Sequence, residues 1–422
     1  MEVGSLNVML LGAAGGIGSA FVNILAQNDI AHSIIPLGTK LFLVDRCVDI
    51  KVTRQLKAKY DVTVISGFNI SSHMDLEKLL IDYKINALIE VADIETIEFV
   101  QVCVSLGVLY LNSGYGVWPE VYAKEHPRCL MLVRALEIRN AIINRGARIN
   151  SGVILGSGMN PGVVNALVER GIERLANINL IDKAALVADL KYIIFTEEDT
   201  TTVPEASLFK DAEFPITWNP QHAFAEFTER STGYVSQGRV QWVDSRPLDY
   251  TLDVICNDKM INGMLVPHEE SVTIGEKYPG ITSGFIYRIP AISALHLPKV
   301  RNLQLITPVL LVPKSFELEG SDTVGVLLQT TRYGAYWLGY KNEHHQAIGY
   351  DTNATLMQVA AGVLAGTSIL LKSFSRISAV EDIDFHTYLD TVSQILGPII
   401  EKQVMPSQFF KGFEQRKVET MG

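Results

Sequence analysis

The sequence predicts an α/β protein that begins with a doubly wound parallel sheet and continues into an α+β region with an antiparallel sheet. Three observations lead to this prediction. Short β-rich runs alternate with helical runs over the first 160 residues, and a glycine-rich turn follows the first run. From about residue 184 to 330, polar and apolar residues alternate between recurring turns. The first pattern is typical of βαβ units, and the last is typical of antiparallel strands.

Individual elements follow from local signals. A helix is predicted after Ser72, because Ser72 and Asp75 have the spacing of a capping box ahead of an apolar run. Turns are predicted at Asn262-Gly263 and Pro279-Gly280. Two long helical stretches are expected from Asn353 and from Glu381. The candidate strands of the first region are 6–12, 40–45, 62–67, 86–92, 108–112 and 149–155.

Charge and composition restrict the class of partner. The net charge of −10 over 422 residues repels nucleic acid and anionic lipid and attracts cations. A small cationic molecule is therefore favoured, and neither a nucleic-acid nor a membrane partner is expected. The four cysteines, Cys47, Cys103, Cys129 and Cys256, form no Cys-x-x-Cys pair, which predicts buried thiols in a reducing cytoplasm. The apolar stretches 8–26 and 354–371 contain glycines or polar residues, so buried segments are favoured over membrane spans.

The segment Gly12-Ala-Ala-Gly15-Gly16-Ile17-Gly18 matches the needs of a Rossmann dinucleotide-binding turn. Such a turn places glycine where the backbone bends, where it approaches the diphosphate and where the helix packs on its strand. Gly12, Gly15 and Gly18 can fill these roles, although their spacing differs slightly from the commonest pattern. Gly16 and Ile17 open a helix whose amides would face the phosphates. A glycine loop without a ligand is the alternative.

Asp45 ends the second candidate strand, about 27 residues after Gly18. An acid at this place accepts hydrogen bonds from the adenosine ribose and disfavours a 2′-phosphate. The adjacent Arg46 would instead favour a 2′-phosphate. NAD is therefore the favoured cofactor, and NADP remains open.

Two polar residues follow later strands, and ligands of such sheets lie beyond the carboxyl ends of the strands. Asp93 is expected near the nicotinamide half of the cofactor, or else caps the helix that follows. Asn160 lies in Ser157-Gly-Met-Asn160-Pro161-Gly162. It either caps a helix that begins at Pro161 or presents its amide to a substrate or to the cofactor carboxamide.

Acidic residues are concentrated in one segment. Residues 188–275 hold fifteen Asp and Glu against six Lys and Arg. An ammonium group needs carboxylates and an aromatic face, so this segment is a candidate substrate region. A solvated acidic surface is the alternative for each single residue. His344 and His345 are expected to face water, and no spacing suggests a metal site. The candidates are the densest acidic cluster, Thr196-Glu197-Glu198-Asp199-Thr200, together with Trp218, His268, Glu269 and Glu270.

A series of motifs resembles bacterial homospermidine synthase, a family of the saccharopine-dehydrogenase-like group, in order from the glycine turn to about residue 400. The motifs are Gly158-Met-Asn-Pro-Gly162-Val-Val, Tyr234-Val-Ser-Gln-Gly238, His268-Glu-Glu-Ser271, Gly325-Val-Leu-Leu328, Ala335-Tyr-Trp-Leu-Gly339, Asn353-Ala-Thr355 through Gln358-Val to Val363-Leu-Ala-Gly366, and Glu381-Asp-Ile-Asp-Phe385 to Leu396-Gly-Pro398.

This resemblance implies a Rossmann domain formed by residues 1–160 and about 353–422. It implies an inserted α+β domain over residues 161–352 for substrate binding and subunit contacts, and a homodimer. It also implies chemistry, in which NAD takes a hydride from a carbon bearing an amine and a second amine attacks the resulting imine. The hydride then returns, so that putrescine units are joined and ammonia is released.

The family's pocket residues match Asp93, Asn160, Glu197, Trp218, His268 and Glu270. By resemblance, Asp93 and Glu197 bind or deprotonate the reacting amines, and Trp218 covers the carbon chain. His268 and Glu270 hold these groups in place or take part in proton transfer.

The chain also departs from the family. Gly116, which lies two residues before Trp118, and Gln237 stand where the family has acids. Ile289-Pro290 replaces a His-Pro pair of the family. Each lost carboxylate removes an ammonium anchor of about 1.5–3 kcal/mol.

Two alternatives therefore stay open. One is a reductase of carboxylated imines, which needs bidentate arginines, whereas the acidic segment offers only Arg230, Arg239 and Arg246. The other is an NAD-binding homologue without catalysis.

Overall fold

The computed structural model describes residues 6–92, 94–116, 130–144, 151–204, 209–299, 306–372 and 375–413. Of the residues discussed above, Asp93 and Trp118 lie outside these ranges. So do Cys129 and the beginning of the last candidate strand, at residues 149 and 150. Cys103 and Cys256 are buried as predicted, whereas Cys47 is exposed, so the prediction that it is buried is wrong.

The first region alternates strands and helices as predicted, and each candidate strand is present within a few residues of its expected bounds. The helix after Ser72 is also confirmed, because the Ser72 hydroxyl accepts a hydrogen bond from the amide of Asp75 at 3.3 Å. The elements are β1 (Asn7–Leu11), α1 (Gly16–Gln27), α2 (Ala31–Ile34), β2 (Lys40–Asp45), α3 (Arg54–Lys59), β3 (Asp61–Ser66), α4 (His73–Asp82), β4 (Ala87–Glu90), α5 (Thr96–Leu106), β5 (Leu109–Asn112), α6 (Met131–Ile143) and β6 (Val153–Leu155).

The rest of the chain builds a second region and then returns to the first. Its elements are α7 (Val163–Ile178), α8 (Lys183–Asp189), β7 (Leu190–Asp199), β8 (Glu213–Ile216), α9 (Pro220–Phe227), β9 (Thr232–Ser236), β10 (Arg239–Val243), β11 (Thr251–Cys256), β12 (Lys259–Val266), α10 (Glu269–Lys277), β13 (Thr282–Arg288), α11 (Ala291–His296), β14 (Thr307–Leu310), β15 (Ser321–Thr330), β16 (Ala335–Glu343), α12 (His344–Ile348), α13 (Ala354–Leu370), β17 (Ile377–Ala379), α14 (Phe385–Leu396) and β18 (Ile400–Val404).

The first sheet is parallel and doubly wound. Its strand order is β17-β6-β5-β4-β1-β2-β3, and every neighbouring pair is parallel. Successive residues of β1 enter two different cores, with Val8 and Leu10 on one face and Met9 and Leu11 on the other. Burial on both faces explains why the strands read as continuous apolar runs. The α/β class with a Rossmann sheet is confirmed.

The second sheet is mixed rather than purely antiparallel. Its main path runs β10-β9-β13-β7-β15-β16-β18, and the hairpin of β11 and β12 joins it through β13. The pair of β13 and β7 is parallel, because a long connection that ends in α10 separates the two strands. Strand β18 belongs to this sheet and β17 to the first, so the C-terminal segment contributes to both. The domain boundaries given above stay a prediction.

One of the two predicted turns is wrong. Pro279-Gly280 does form a turn, but Asn262-Gly263 lies inside β12. A Cβ on Gly263 would lie 2.9 Å from Cγ2 of Ile286 on the neighbouring strand. This glycine is therefore explained by close packing against β13 rather than by a turn.

The apolar stretch at residues 354–371 forms α13, which is buried along nearly its whole length. A Cβ on Gly362 would lie 2.0 Å from the carbonyl oxygen of Gly158, and one on Gly366 would lie 2.2 Å from the Ser157 hydroxyl. The two glycines let α13 pack against the segment that follows β6. Within the described ranges, no helix is both long and apolar enough to cross a membrane.

Candidate active site

The glycine turn has the geometry that a dinucleotide-binding turn needs. Gly12 has φ +91°, a left-handed conformation that favours glycine. A Cβ on Gly18 would lie 2.1 Å from the carbonyl oxygen of Gly12, so α1 can approach the turn closely only because residue 18 lacks a side chain. The amide of Gly15 donates to the same oxygen at 3.1 Å. The roles predicted for these glycines in the turn are thus consistent with the structure.

The first amides of α1 are available to a ligand. The amides of Gly12 and Ala13 donate to the carbonyl of Val44, at 3.0 and 3.2 Å. For the amides of Gly16 and Ile17, by contrast, no acceptor is found in the described part of the chain. Unpaired amides at a helix N-terminus, together with the helix dipole, favour an anion there.

Asp45 fastens the glycine turn to the end of β2. Its Oδ2 accepts from the amide of Ala14 and its Oδ1 from the amide of Cys47, both at 2.8 Å. Each carboxylate oxygen can accept a second hydrogen bond, so the predicted contact with a ribose hydroxyl is compatible with this arrangement. Arg46 is exposed beside it.

Three buried carboxylates meet on one face of the second sheet. Glu197 and Asp199 are two residues apart on β7, so they point to the same side. Asp322 on β15 is paired directly with Asp199. All three are almost fully buried. The sequence analysis identified Glu197 but missed Asp322. Asp322 lies two residues before Val324 and four before Val326, which are core residues of β15. This alternation indicates that the acid faces inward.

The three carboxylates strongly disfavour one another's charge. Burial, followed by the charge of Asp199, raises the pKa of Glu197 to about 8. Burial, together with Glu197 and Asp199, holds the pKa of Asp322 well above its usual range. Among the described residues, neither oxygen of Asp322 has a hydrogen-bond partner of ordinary geometry, although the nearby Thr355 hydroxyl lowers its pKa somewhat. The cluster therefore holds protons unless a cation enters it.

Asp199 is the best-stabilised carboxylate of the three. It accepts a hydrogen bond from the Thr201 amide at 2.8 Å and from the Thr217 hydroxyl at 2.6 Å, as well as one from the Thr201 hydroxyl. These donors oppose the effect of burial, which raises its pKa. Asp199 is thus the member of the cluster whose charge the protein itself supports.

His344 supports this arrangement from behind, so the prediction that it faces water is wrong. Its Nε2 lies 2.6 Å from the Thr201 hydroxyl, and its Nδ1 accepts from the amide of Ala354 at 3.1 Å. Burial lowers the pKa of His344 to about 4, so the ring is neutral, with its proton on Nε2. His345 is exposed, as expected. The polar residues around His344 and His345 in the sequence do not indicate that His344 is buried. Its burial arises only when α12 packs against α13.

Asn160 connects the two sheets. The helix that follows begins at Val163 with Gly162 at its cap, so the prediction that Asn160 caps a helix is wrong. Its side-chain nitrogen instead donates to Glu197 at 2.9 Å. Asn160 therefore presents its amide to the carboxylate cluster from the end of the first sheet.

His268 lies among further acids at the start of α10. Its Nδ1 hydrogen bonds to Glu270 and lies 3.2 Å from Glu269, while its Nε2 lies 3.8 Å from Glu226 on α9. Burial lowers the pKa of His268, but these carboxylates outweigh burial and hold it well above the usual value. Glu226 is a second acid that sequence reasoning missed, and burial raises its pKa to about 8.

His268 and the two glutamates beside it are also as close together as the ligands of a metal site. The ligand atoms of His268, Glu269 and Glu270 all lie within 4.8 Å of one another. A protonated imidazole has no free ring nitrogen to offer a metal ion, and the raised pKa of His268 favours that form. The expectation of no metal stays a prediction.

Aromatic side chains line the other side of the cluster. Tyr287 on β13 is paired with Glu197, and its hydroxyl is buried without a hydrogen-bond partner of ordinary geometry in the described ranges. Trp218 lies beside Tyr287 and packs edge-on against Phe227 at 6.3 Å between ring centroids. Phe227 and Tyr287 are 5.7 Å apart. An ammonium group in this place would meet carboxylates on one side and aromatic rings on the other.

Glu198 does not belong to the site. It points to the opposite face of β7 from Glu197. There it forms ion pairs with Lys259 at 2.6 Å and with Arg288 at 3.1 Å. The acidic run from Glu197 to Asp199 is therefore divided between the two faces of the sheet, because neighbouring residues of a strand point to opposite sides.

The departures from the family pattern have structural explanations. A Cβ on Gly116 would lie 2.2 Å from the carbonyl oxygen of Ile94, so no acid fits at this position in this chain. Gln237 is exposed at the tip of the hairpin between β9 and β10, where a carboxylate would face solvent. Ile289 is buried in the core. Asp322 and Glu226 place two further buried carboxyl groups beside Asp199 and His268, respectively.

Comparison with known proteins gives structural neighbours only. No protein-family model matches the sequence, and no curated protein sequence is similar to it. The homospermidine synthase from Legionella pneumophila, solved in complex with NAD, superposes with a TM-score of 0.76 and 18% identity over 99% of this chain and 96% of the other. Apo saccharopine dehydrogenase (L-Glu forming) from Saccharomyces cerevisiae superposes with a TM-score of 0.57 and 12% identity over 95% and 100%. These likenesses confirm the predicted fold.

Proposed function

We propose that the protein is an NAD-dependent enzyme similar to homospermidine synthase, which transfers a hydride at a C–N carbon of a polyamine and converts putrescine to homospermidine through an imine. The observation that carries this proposal is the buried group of Glu197, Asp199 and Asp322, which forms no ion pair with a described residue; the charge of His268 lowers the pKa of Glu197 but does not offset burial and the charge of Asp199. Such a group requires protons or a cationic guest. A diamine provides that guest.

The glycine turn fits the adenine dinucleotide. The amides of Gly16 and Ile17 would hold the diphosphate, and Gly15 would allow the backbone to approach the phosphate closely. Asp45 would accept a hydrogen bond from a ribose hydroxyl. When bound, NAD supplies the chemistry of accepting a hydride from an amine-bearing carbon and returning it to an imine. The remaining steps belong to the side chains of this chain.

Glu197 is placed to bind an ammonium group and to take its proton. Its pKa of about 8 lies close to neutral pH, where a general base is most effective. Asn160 orients this carboxylate, and Asp322, whose pKa Glu197 helps to raise, would supply a second negative charge once an ammonium group is bound. Trp218 and Tyr287 would cover the carbon chain and exclude water. His268 would hold a proton close to the second amine, with Glu270 keeping the ring in place. A role for Asp93 stays a prediction.

The structure offers no support for a carboxylated substrate. Arg230, Arg239 and Arg246 are all exposed, and Arg246 is paired with Asp249 at 2.6 Å. None of them points into the carboxylate cluster, which would repel a substrate carboxylate.

The proposal is tested with the purified protein, NAD and putrescine. We expect release of ammonia together with formation of a secondary amine of twice the carbon length, detected by mass spectrometry, without net consumption of NAD. With deuterium-labelled putrescine, the appearance of deuterium in the product would report the transfer of the hydride. Retention of NAD without turnover on any member of a panel of diamines would contradict the proposal and favour a non-catalytic homologue.

A further inference from the structure

A chain of three hydrogen bonds leads from the start of α13 to Asp199. The amide of Ala354, the first residue of α13, donates to Nδ1 of His344 at 3.1 Å. Nε2 of His344 lies 2.6 Å from the Thr201 hydroxyl, which hydrogen bonds in turn to Oδ1 of Asp199. His344 and Thr201 are fully buried, so bulk water does not compete for these contacts.

The direction of this chain follows from its first member. A backbone amide can only donate, so Nδ1 of His344 carries no proton. Burial lowers the pKa of His344 to about 4, so the ring is neutral and its proton is on Nε2. Nε2 then donates to the Thr201 hydroxyl, whose own hydrogen is left for Asp199. Every hydrogen bond of the chain therefore points towards Asp199.

A second branch from the same helix terminus reaches the other oxygen of Asp199. Asn353, which caps α13, donates from its side-chain nitrogen to the carbonyl of Thr217 at 2.6 Å. The Thr217 hydroxyl donates to Oδ2 of Asp199, also at 2.6 Å. Neither oxygen of Asp322 has a hydrogen-bond partner of ordinary geometry among the described residues. The start of α13 thus supports a charge on Asp199 more than one on Asp322.

The acidic groups around Asp199 act against this support. Described residues of this kind lie on three strands: Glu197 and Glu198 on β7, Asp322 on β15 and Tyr287 on β13. At the other end of the chain, Glu343 raises the pKa of His344, but less than burial lowers it. Burial also raises the pKa of Asp199, and the Thr201 hydroxyl is the first of the donors that oppose this effect. The position of that hydroxyl therefore matters for where the charge of the cluster lies.

We propose that His344 is a positioning residue of the candidate active site, which turns the Thr201 hydroxyl towards Asp199 and makes Asp199 the carboxylate that is ionised before a substrate enters. The fixed charge of Asp199 disfavours a second charge nearby, so the proton stays on Glu197. An arriving ammonium group offsets that repulsion and releases Glu197 to act as the base. This inference rests on the proposed function only in its last step, because the ionisation of the ligand-free cluster requires neither NAD nor a diamine.

Infrared titration of the ligand-free protein tests this inference, because the carbonyl stretch of a protonated carboxyl group disappears when the group ionises. Glu197→Gln and Asp199→Asn assign the bands of the two residues. In the wild-type protein at neutral pH, we expect a band from Glu197 and none from Asp199. His344→Asn keeps an acceptor for the Ala354 amide but is too short to donate to Thr201. It should introduce a band from Asp199 and lower the titration midpoint of Glu197 by about one pH unit.

Further variants test whether His344 acts through Thr201. His344→Gln places a donor where Nε2 was and should restore most of the wild-type titration. Thr201→Val keeps the shape of the side chain, removes the hydroxyl and should give the same shift as His344→Asn. The double variant should shift no further, because both changes interrupt one chain. His296→Asn removes a buried histidine of α11, which packs against Phe209, and should leave the titration unchanged.

An unchanged titration in His344→Asn, or shifts that add in the double variant, would overturn the inference. Nitrogen-15 spectra of the wild-type protein provide a test that does not depend on the folding of a variant. They should show the His344 ring with its proton on Nε2 at every pH well above 4. A ring with its proton on Nδ1 would overturn the inference as well, because such a ring does not donate to Thr201.

The two readouts separate this inference from the proposed function. If the infrared bands behave as expected but no diamine is turned over, the role of His344 stands and the proposed function fails. If putrescine is turned over, the acidic limb of the rate profile should move about one unit to lower pH in His344→Asn and stay in place in His344→Gln. Turnover with an acidic limb that His344→Asn does not move would leave the proposed function standing and overturn this inference.

Discussion

Asp322 on β15 is paired across the sheet with Asp199 on β7, and both carboxylates are buried on the face that carries Glu197. Directly opposed like charges destabilise a sheet, and burial increases the effect. The pair is therefore unfavourable in the free protein and becomes favourable when a cation lies between the carboxylates. This relationship leads to the first two predictions.

Asp322→Asn should stabilise the ligand-free protein and weaken diamine binding. The amide keeps the shape of the side chain and removes a carboxyl group whose ionisation is opposed by burial, Glu197 and Asp199, and whose oxygens have no hydrogen-bond partner of ordinary geometry in the described ranges. We expect a higher melting temperature and a loss of putrescine affinity of at least about tenfold, since hydrogen bonds to charged groups contribute about 1.5–3 kcal/mol. Asp244→Asn, which makes the same change at an exposed acid of the second region, is the matched control. An unchanged putrescine affinity would exclude Asp322 from the amine site.

The ligand-free protein should lose stability as the pH rises towards 8. Glu197 and Glu226 titrate near 4.5 when unfolded and at about 8 when folded, so between these values the folded state binds more protons. Stability therefore falls as the pH rises through this window. The raised pKa of His268 acts in the same direction above its ordinary value of 6.5.

Thermal melting between pH 5 and pH 8.5 measures this dependence. Glu197→Gln and Glu226→Gln should each flatten the curve, and putrescine should restore stability at the alkaline end. A curve that rises with pH in the absence of ligand would mean that the carboxylates are not held in their protonated form.

Gly116→Ala should destabilise the protein. The new Cβ would lie 2.2 Å from the carbonyl oxygen of Ile94, and the backbone of Gly116 is held by hydrogen bonds to Thr96. We expect a loss of about 1–3 kcal/mol in the free energy of unfolding, measured with urea. Gly114→Ala is the control, because no described atom lies within 4 Å of the place that its Cβ would take. Equal stabilities of the two variants would disprove the steric explanation for the missing acid.

Asn160→Ala should shift the pH dependence of turnover. The hydrogen bond from Asn160 lowers the pKa of Glu197, so its removal should raise that pKa. The acidic limb of the rate profile should then move to higher pH, because Glu197 acts as a carboxylate. Asn262→Ala removes a comparable amide–carboxylate hydrogen bond, to Asp253, at an exposed site and should leave the profile unchanged. A profile unaffected by Asn160→Ala would separate Glu197 from the proton-transfer step.

Features that depend on neighbouring residues could be predicted from the amino-acid sequence. The six strands of the first region follow from apolar runs and their spacing, and the glycine turn follows from the steric needs of Gly12 and Gly18. The cap at Ser72 has the same local origin. The likeness to homospermidine synthase in fold was also predictable from the order of the motifs.

The grouping of polar residues, by contrast, depends on how the chain folds over long distances in sequence. Asp322 faces Asp199 because the register of two strands, 123 residues apart in sequence, places them side by side, whereas Glu198 is turned away by the alternation of the strand. His344 is buried because α12 packs against α13. Position 116 requires glycine because the carbonyl oxygen of Ile94 lies where a Cβ would be. Burial and long-range register arise from the folded chain as a whole, and local sequence patterns do not contain them.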